Sequence, residues 1–256
     1  FSQRQQIVVA TKFLPRTKAQ IAAGIDAKTH IRQSLAQSLR RLGMDYVDLY
    51  ICHKWDETAP LYDIMAGLND VVRAGMARYI GISNCFAWQL CKANALAQKE
   101  GFAPFISVQN HYNLVFREEE REMVPLCRAD NIAMTPYSPL ASGRLCRMPG
   151  SQTQRLQQDD YARGKYDATA AQDAKIILRT SQLARQHDVS MTQIALAWLL
   201  KQTAAPVVGA TSAQQLADIA AATTITLTQQ ECTFLQESYV PHALVGIMAE
   251  PSEKAS

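Results

Sequence analysis

No apolar run in this sequence is long enough to span a bilayer. The longest, Ile194 to Leu200, falls far short of the roughly 20 residues a membrane helix needs. There is no CxxC pair either. The six cysteines, Cys52, Cys85, Cys91, Cys127, Cys146 and Cys232, are scattered along the chain. Disulfide scaffolds are short and dense in cysteine, so this usage points to reduced thiols and a cytoplasmic setting. No signal peptide is expected, because residues 1 to 6 are polar and lead into a short apolar run. Blocks of like charge are also absent. Lys plus Arg number 26 against 23 for Asp plus Glu, and the net charge of +3 argues against a nucleic acid partner.

Several chemical signatures are missing. The five histidines (His30, His53, His111, His187, His242) form no HxH or HExxH, and no Cys/His cluster has ligand spacing, so no metal site is expected. A GxSxG elbow is lacking, which removes the usual acyl-transfer serine. Neither GxGxxG nor GxxxxGK[ST] occurs, so a bound nucleotide would need another cradle for its phosphates.

What is present reads as a globular α/β chain. Hydrophobic residues make up 48% and charged residues 19% of 256, which excludes disorder and suits one barrel-sized domain. Short β-branched runs alternate with helical patterns. Strands are expected at Ile7–Phe13, Tyr46–His53, Arg78–Ser83, Phe105–Gln109, Ile132–Tyr137 and Pro206–Ala210. Ile31, Leu35, Leu39 and Leu42 recur at helical spacing, with Arg40 and Arg41 in the last turn and Gly43 as the stop. Further helices are expected at about Leu61–Arg73, Ala87–Gln98, Arg117–Leu126, Ala171–Gln186, Thr192–Lys201 with Ser190 as cap, and Ser212–Ala222. A last helix opens at the Thr228/Glu231 capping box. The segment Ser138 to Ala168 breaks the rhythm, and the tail from Pro241 is expected to be loose. A domain over 1–240 is therefore expected, with 241–256 as tail.

Six strand-then-helix units imply a parallel sheet with helical crossovers. Such sheets are open and doubly wound or closed as eight-stranded barrels, and six units are two short of closure. In either form, ligands sit at the carboxyl ends of the strands. Those ends carry Lys12, His53, Ser83-Asn84, Gln109-Asn110, Tyr137-Ser138 and Gly209-Ala-Thr-Ser212. A partly desolvated Lys12 could have a lowered pKa or depress that of a neighbouring acid; the alternative is a lysine that reaches solvent. His53 could donate to a carbonyl or act as a base; the alternative is a structural histidine. The helix start after Gly209 and the loop Ser138 to Leu145 are the two candidate phosphate cradles.

The motifs at these ends resemble the aldo-keto reductase family over nearly the whole chain. They are Val8-Val-Ala-Thr-Lys12, Ser38-Leu-Arg-Arg-Leu-Gly-Met-Asp-Tyr-Val-Asp-Leu-Tyr-Ile-Cys-His53, Gly75-Met-Ala-Arg-Tyr-Ile-Gly-Ile-Ser-Asn84, Gln109-Asn-His-Tyr-Asn-Leu114, Pro136-Tyr-Ser-Pro-Leu-Ala-Ser-Gly-Arg-Leu145 and Pro206-Val-Val-Gly-Ala-Thr211. The Arg40 to Tyr50 junction has the look of bacterial members. The resemblance implies a parallel (β/α)8 TIM-type barrel, lacking here its first two β/α units. It implies NADPH, with NAD possible, and reduction of an aldehyde or ketone. In the family the nicotinamide delivers hydride and a tyrosine, helped by a lysine held by an aspartate, delivers the proton. Lys12 and His53 match the family's catalytic lysine and histidine. Ser83, Asn84 and Gln109 match its carboxamide ligands, and Tyr137 matches the residue stacked on the nicotinamide. Ser138, Leu140, Ser142 and Arg144 match the pyrophosphate loop. Gly209, Thr211, Ser212, Gln215 and Asp218 match the segment around the adenosine and its 2′-phosphate.

The sequence departs from the family pattern in three places. The family's aspartate and tyrosine lie about thirty residues before the lysine, and only eleven residues precede Lys12. No tyrosine is assignable as the acid by position, so the chain as given is expected to be a fragment that is inactive alone. Ser212 stands where many members carry an arginine or lysine for the 2′-phosphate. Cys85 replaces a common aromatic. The alternatives to a reductase are a non-catalytic barrel that binds dinucleotide or a protein partner, and an unrelated six-unit α/β fold. An open sheet leaves unpaired edges, so association of the isolated chain is expected. The partner is expected to be a small carbonyl compound, with no membrane involvement. The substrate and oligomeric state are not legible.

Overall fold

The computed structural model describes residues 3–151 and 158–249. Two compact units divide them. One takes the chain to Gln109 together with Leu126–Ala133. The other takes Asn110–Pro125 and the chain from Met134 onward.

The first unit follows the expected alternation closely. Its elements are β1 (Ala10–Phe13), α1 (Lys18–Ala22), α2 (Ala27–Leu42), β2 (Val47–Cys52), α3 (Leu61–Arg73), β3 (Ala77–Ser83), α4 (Ala87–Glu100) and β4 (Phe105–Gln109). At the boundary lie α5 (Met123–Ala129) and the two-residue β5 (Ala133–Met134). The sheet has five strands in the order β1-β2-β3-β4-β5, and the first three pairings are parallel. Five, not six, is the strand count among the described residues.

Helix α2 shows how local chemistry makes an element. Asp26 accepts the Thr29 N–H at 2.7 Å as N-cap, and Gly43 ends the helix at φ 62°. Its Ile31, Leu35 and Leu39 are buried, and the Tyr50 hydroxyl of β2 donates to the Ile31 carbonyl at 3.0 Å. Phe13 stacks on Tyr50 at 4.8 Å between centroids. Leu35 is fully buried, and its truncation to alanine would cost about 2–5 kcal/mol.

Strand register decides which residues meet. Lys12 lies opposite Ile51, Ile51 opposite Gly81, Gly81 opposite Ser107, and Ser83 opposite Gln109. Side chains alternate between faces with period two. Lys12, Gly81, Ser83, Ser107 and Gln109 therefore share one face, while Phe13 and Tyr50 share the other. A register shift between Ile80 and Gly81 makes this possible, because Ile80 pairs with Phe105 and Gly81 skips to Ser107. The approach there is close: a Cβ on Gly81 would lie 2.3 Å from Ser107 Oγ.

The second unit is mainly helical. It holds α6 (Asp160–Tyr166), α7 (Ala170–Gln186), α8 (Met191–Leu200), α9 (Ala213–Ala221) and α10 (Gln229–Gln236). Short 3-10 turns lie at Glu118–Glu120, Ala141–Cys146 and Gly246–Ala249. The capping boxes Ser190/Gln193 and Thr228/Glu231 open α8 and α10. Residues Ile194 to Leu199 of α8 are all buried, so the longest apolar run is a helix enclosed on every side.

Three expected elements differ. Pro206–Ala210 forms no strand. Val207 N–H reaches the Pro136 carbonyl at 2.8 Å, but Pro206 has no N–H to give, and Val207 and Val208 are exposed. The expected strand Ile132–Tyr137 shrinks to Ala133–Met134 plus a single His111–Tyr137 bridge, because Pro136 removes a ladder donor. The expected helix Arg117–Leu126 splits into the Glu118–Glu120 turn and α5. Glu118 and Glu119 reach different partners, Tyr239 and Asn110, and Pro125 sits in the first turn of α5, where it is tolerated. Past Pro241, where the sequence suggests a loose tail, the His242 N–H donates to Glu118 at 2.8 Å and its ring lies 3.0 Å from Asp173. Residues 250–256 of the expected tail and 152–157 of the irregular segment lie outside the described residues.

Candidate functional site

In the first unit the polar residues at the strand ends form one connected network. Lys12 Nζ donates to Gln109 Oε1. The Ser83 hydroxyl donates to the Gln109 carbonyl at 2.6 Å, and Asn84 Nδ2 donates to Ser83 Oγ at 3.0 Å and to the His53 carbonyl at 2.8 Å. Asn84 sits at φ 51°, a left-handed conformation that asparagine tolerates better than most residues. That turn is what points its amide back across the strand ends. The His53 N–H in turn donates to the Phe13 carbonyl at 2.9 Å, continuing the β1–β2 ladder past the strand.

The electrostatics of this network are those of a partly desolvated cation. Burial lowers the Lys12 pKa. Burial also lowers that of His53, helped by the charges of Lys12 and Lys54, so its imidazole is neutral at physiological pH. Among the described residues no hydrogen bond reaches the His53 ring, and no carboxylate forms an ion pair with Lys12. Beside them Cys52 is buried, and burial pushes its thiol up to about 12. That thiol is inert as a nucleophile.

In the second unit His111 is the centre of an aromatic stack that includes Tyr137. His111, 2% exposed, lies parallel to Phe116 at 4.1 Å and to Tyr137 at 5.5 Å. Its Nε2 is 2.6 Å from the Tyr166 hydroxyl. Asn113 Nδ2 donates to the Ser138 carbonyl at 2.9 Å. The loop that follows is unusual in backbone: Ser138, Ala141 and Ser142 have φ of 55°, 48° and 54°, and Gly143 has 90°. Non-glycine residues held there store strain of order 1 kcal/mol or more each. Arg144 pairs with Asp167 at 2.5 Å and lies over the Tyr166 ring. Among the described residues no group of three or more His, Cys, Asp or Glu is placed to hold a metal ion, and no helix is long and apolar enough to cross a membrane.

The model of the Aldo/keto reductase family matches residues 2–239. The chain belongs to this family. It is 37% identical over 221 residues to an aldo-keto reductase of Fusarium vanettenii, covering 86% of this chain and 60% of that protein. It is 37% identical over 222 residues to the versiconal hemiacetal acetate reductase of Aspergillus parasiticus, covering 85% of this chain and 64% of that protein. The chain thus spans about three fifths of the length of these curated relatives. In structure it is similar to a thermostable aldo-keto reductase crystallised with the inhibitor epalrestat. The TM-score is 0.72 at 25% identity, over 92% of this chain and 72% of that one.

Set against this family's pattern, Lys12, His53, Ser83, Asn84 and Gln109 come together in one network. Tyr137, Ser138, Leu140, Ser142 and Arg144 share one loop of the second unit. The last segment is engaged with itself. Gln215 Oε1 accepts from the Thr211 N–H at 2.8 Å, and Ser212 Oγ caps α9 by accepting the Gln215 N–H at 3.2 Å. Asp218 accepts from the Ser190 hydroxyl and Gln193 amide at 2.8 Å each, which ties α9 to the start of α8. Gly209 is exposed.

Sequence reasoning missed Lys165, Glu119 and the His111–Tyr166 pair. Lys165 is 4% exposed, with Nζ 5.0, 5.3 and 5.4 Å from the ring centroids of Tyr137, Tyr161 and Tyr166. Glu119 is buried against Asn110, whose Nδ2 donates to it at 2.9 Å. A signal for His111 was available, since it lies within the Gln109 to Leu114 motif. Lys165 falls in the segment Ser138 to Ala168, to which the sequence assigns no element, and it reads there as an ordinary charge.

Proposed function

We propose that this chain carries the cofactor-binding and lysine–histidine machinery of a nicotinamide-dependent carbonyl reductase, acting on an aldehyde or ketone. The observation that carries the reading is the strand-end network, in which Lys12, Ser83 and Gln109 share a face and Asn84 ties Ser83 to the His53 backbone. The trio Ser83, Asn84 and Gln109 suits a carboxamide, because each both donates and accepts hydrogen bonds. Ser138, Leu140, Ser142 and Arg144 are the proposed pyrophosphate contacts, and Gly209, Thr211, Ser212, Gln215 and Asp218 the proposed adenosine segment. Tyr137 is the proposed stacking partner of the nicotinamide.

When bound, the reduced dinucleotide supplies a hydride. The protein's own part is proton chemistry and orientation. Neutral His53 donates a hydrogen bond to the substrate carbonyl oxygen. The Lys12 ammonium would lower the pKa of an acid placed beside it, a part to which no group of this chain is assigned. Ser212 in place of a cation leaves both NADPH and NADH as candidate reductants. The relative named for versiconal hemiacetal acetate reduction supports a small organic carbonyl compound as the substrate class. Six cysteines scattered with no CxxC pair support a reducing compartment such as the cytoplasm.

A second reading is favoured by one observation: Lys12 rests on an amide oxygen and not on a carboxylate. In that reading the chain binds dinucleotide without reducing anything. Titration of the purified chain with NADPH, followed by an assay with an aromatic aldehyde, separates the two. Binding with turnover supports the reductase and no binding removes both. Binding without turnover, which a fragment inactive alone also gives, is decided by repeating the assay on the full-length protein, where its persistence supports the second reading.

A further inference from the structure

Lys165 brings a positive charge to the ring of Tyr137 with no carboxylate in direct ion-pair contact among the described residues. Its Nζ lies 5.0 Å from that ring's centroid, and two more tyrosine rings share it. Its hydrogen-bond partner is Ser138 Oγ at 3.4 Å. Among the described residues it forms no ion pair with a carboxylate, although the charge of Asp159 acts on it. The Gly246 turn covers its stem, since a Cβ on Gly246 would meet Lys165 Cδ at 3.8 Å. Burial lowers Lys165 to about 8, so the ammonium remains the major form at neutral pH. The charge is therefore held in place, screened by π faces and not neutralised.

This placement matters for whatever stacks on Tyr137. The oxidised nicotinamide ring carries a formal positive charge and the reduced ring carries none. Ring centroids in a stack lie about 4.5–7 Å apart, which brings a ring on the face of Tyr137 not taken by His111 within roughly 12 Å of the ammonium. Two like charges at that distance, in the effective dielectric of a protein site, differ from one charge and a neutral ring by roughly tenfold in affinity.

We propose that Lys165 is a specificity-determining residue that favours the reduced dinucleotide over the oxidised one by repelling the charged nicotinamide ring. The inference rests on the reading that Tyr137 stacks on the nicotinamide. It adds a direction: the site takes up reductant readily and releases the spent form.

The test is a set of dissociation constants, measured by titration calorimetry on the full chain at pH 7. NADPH and NADP+ are compared for the wild type, Lys165→Gln, Lys165→Met and Lys165→Arg, with circular dichroism to confirm folding. The wild type should prefer NADPH. The preference should shrink about tenfold in the Gln and Met variants and persist in Arg, which keeps the charge. Equal affinities of the wild type for the two forms would overturn the inference without any variant. So would an unchanged ratio in folded Gln or Met protein; in both cases binding itself leaves the reductase reading standing. If neither form binds the wild type, the reading beneath the inference fails and the inference with it.

Discussion

The Lys12 ammonium is received by the side-chain oxygen of Gln109, 97 positions away in sequence. The two residues stand at the ends of β1 and β4, so the bond passes over β2 and β3. An amide accepts without adding charge, and this leaves the lysine's field available to whatever approaches the strand ends.

That field is the basis of the first prediction. In the proposed reductase, Lys12→Met should lower kcat by roughly hundredfold or more while leaving the dinucleotide Kd nearly unchanged. Steady-state kinetics alongside fluorescence titration would check it. An equal loss of dinucleotide binding would reassign Lys12 to holding Gln109 in place.

Ser212 has two duties in the proposed site, and one substitution separates them. Ser212→Arg should raise affinity for NADPH relative to NADH, because an arginine–phosphate pair is charge-assisted and often bidentate. The same change removes the cap on α9, which should cost about 1 kcal/mol. Paired titrations and a thermal melt read both effects. Unchanged cofactor preference would mean that another residue holds the 2′-phosphate.

Glu119 gives a pH prediction whose sign is definite. Burial pushes its carboxyl up to about 7, with the charge of Glu118 adding and the Asn110 amide opposing. The folded value lies above the usual 4.5. The stability it contributes is therefore present below that value and is lost as pH rises through about 7. Glu119→Gln keeps an acceptor for Asn110 and cannot ionise. Its melting temperature should gain on the wild type between pH 5 and pH 8, by an amount worth about 2–3 kcal/mol. Parallel curves across that range would show that the carboxyl stays ionised.

The edge of β1 gives a fourth. This strand stands at the end of the sheet order, and Val8 just before it is 77% exposed. Unpaired edges with apolar side chains promote association. The isolated chain should self-associate at rising concentration, and Val8→Lys should reduce this in sedimentation velocity runs. A wild-type chain that stays monomeric at high concentration would contradict the expectation.

Much of the first unit was legible in its residues. The helical recurrence of Ile31, Leu35 and Leu39 and the Gly43 stop define α2 locally, and period two along the strands puts Lys12, Ser83 and Gln109 on one face. These are short-range rules, and the structure obeys them. What failed depended on partners. Pro206–Ala210 has the composition of a strand, but a strand exists only where a ladder can form. Lys165 was hidden for a similar reason, since Tyr161 and Tyr166 flank it in sequence but Tyr137 and the Gly246 turn reach it only after folding. The sequence shows an alternating chain with a lysine and a histidine at strand ends. It does not show which charges become enclosed.

The sheet order has a kinetic consequence. From β1 to β4 each strand pairs with the next one along the chain, and a single crossover separates partners. Every pairing closes a loop of modest length, so the contacts are local for a parallel sheet. As the chain is synthesised, β2 can dock on β1 before β3 exists, and each new strand finds its template already built. The Lys12–Gln109 bond then forms last in this series, and its appearance would mark the moment at which the strand ends become a site.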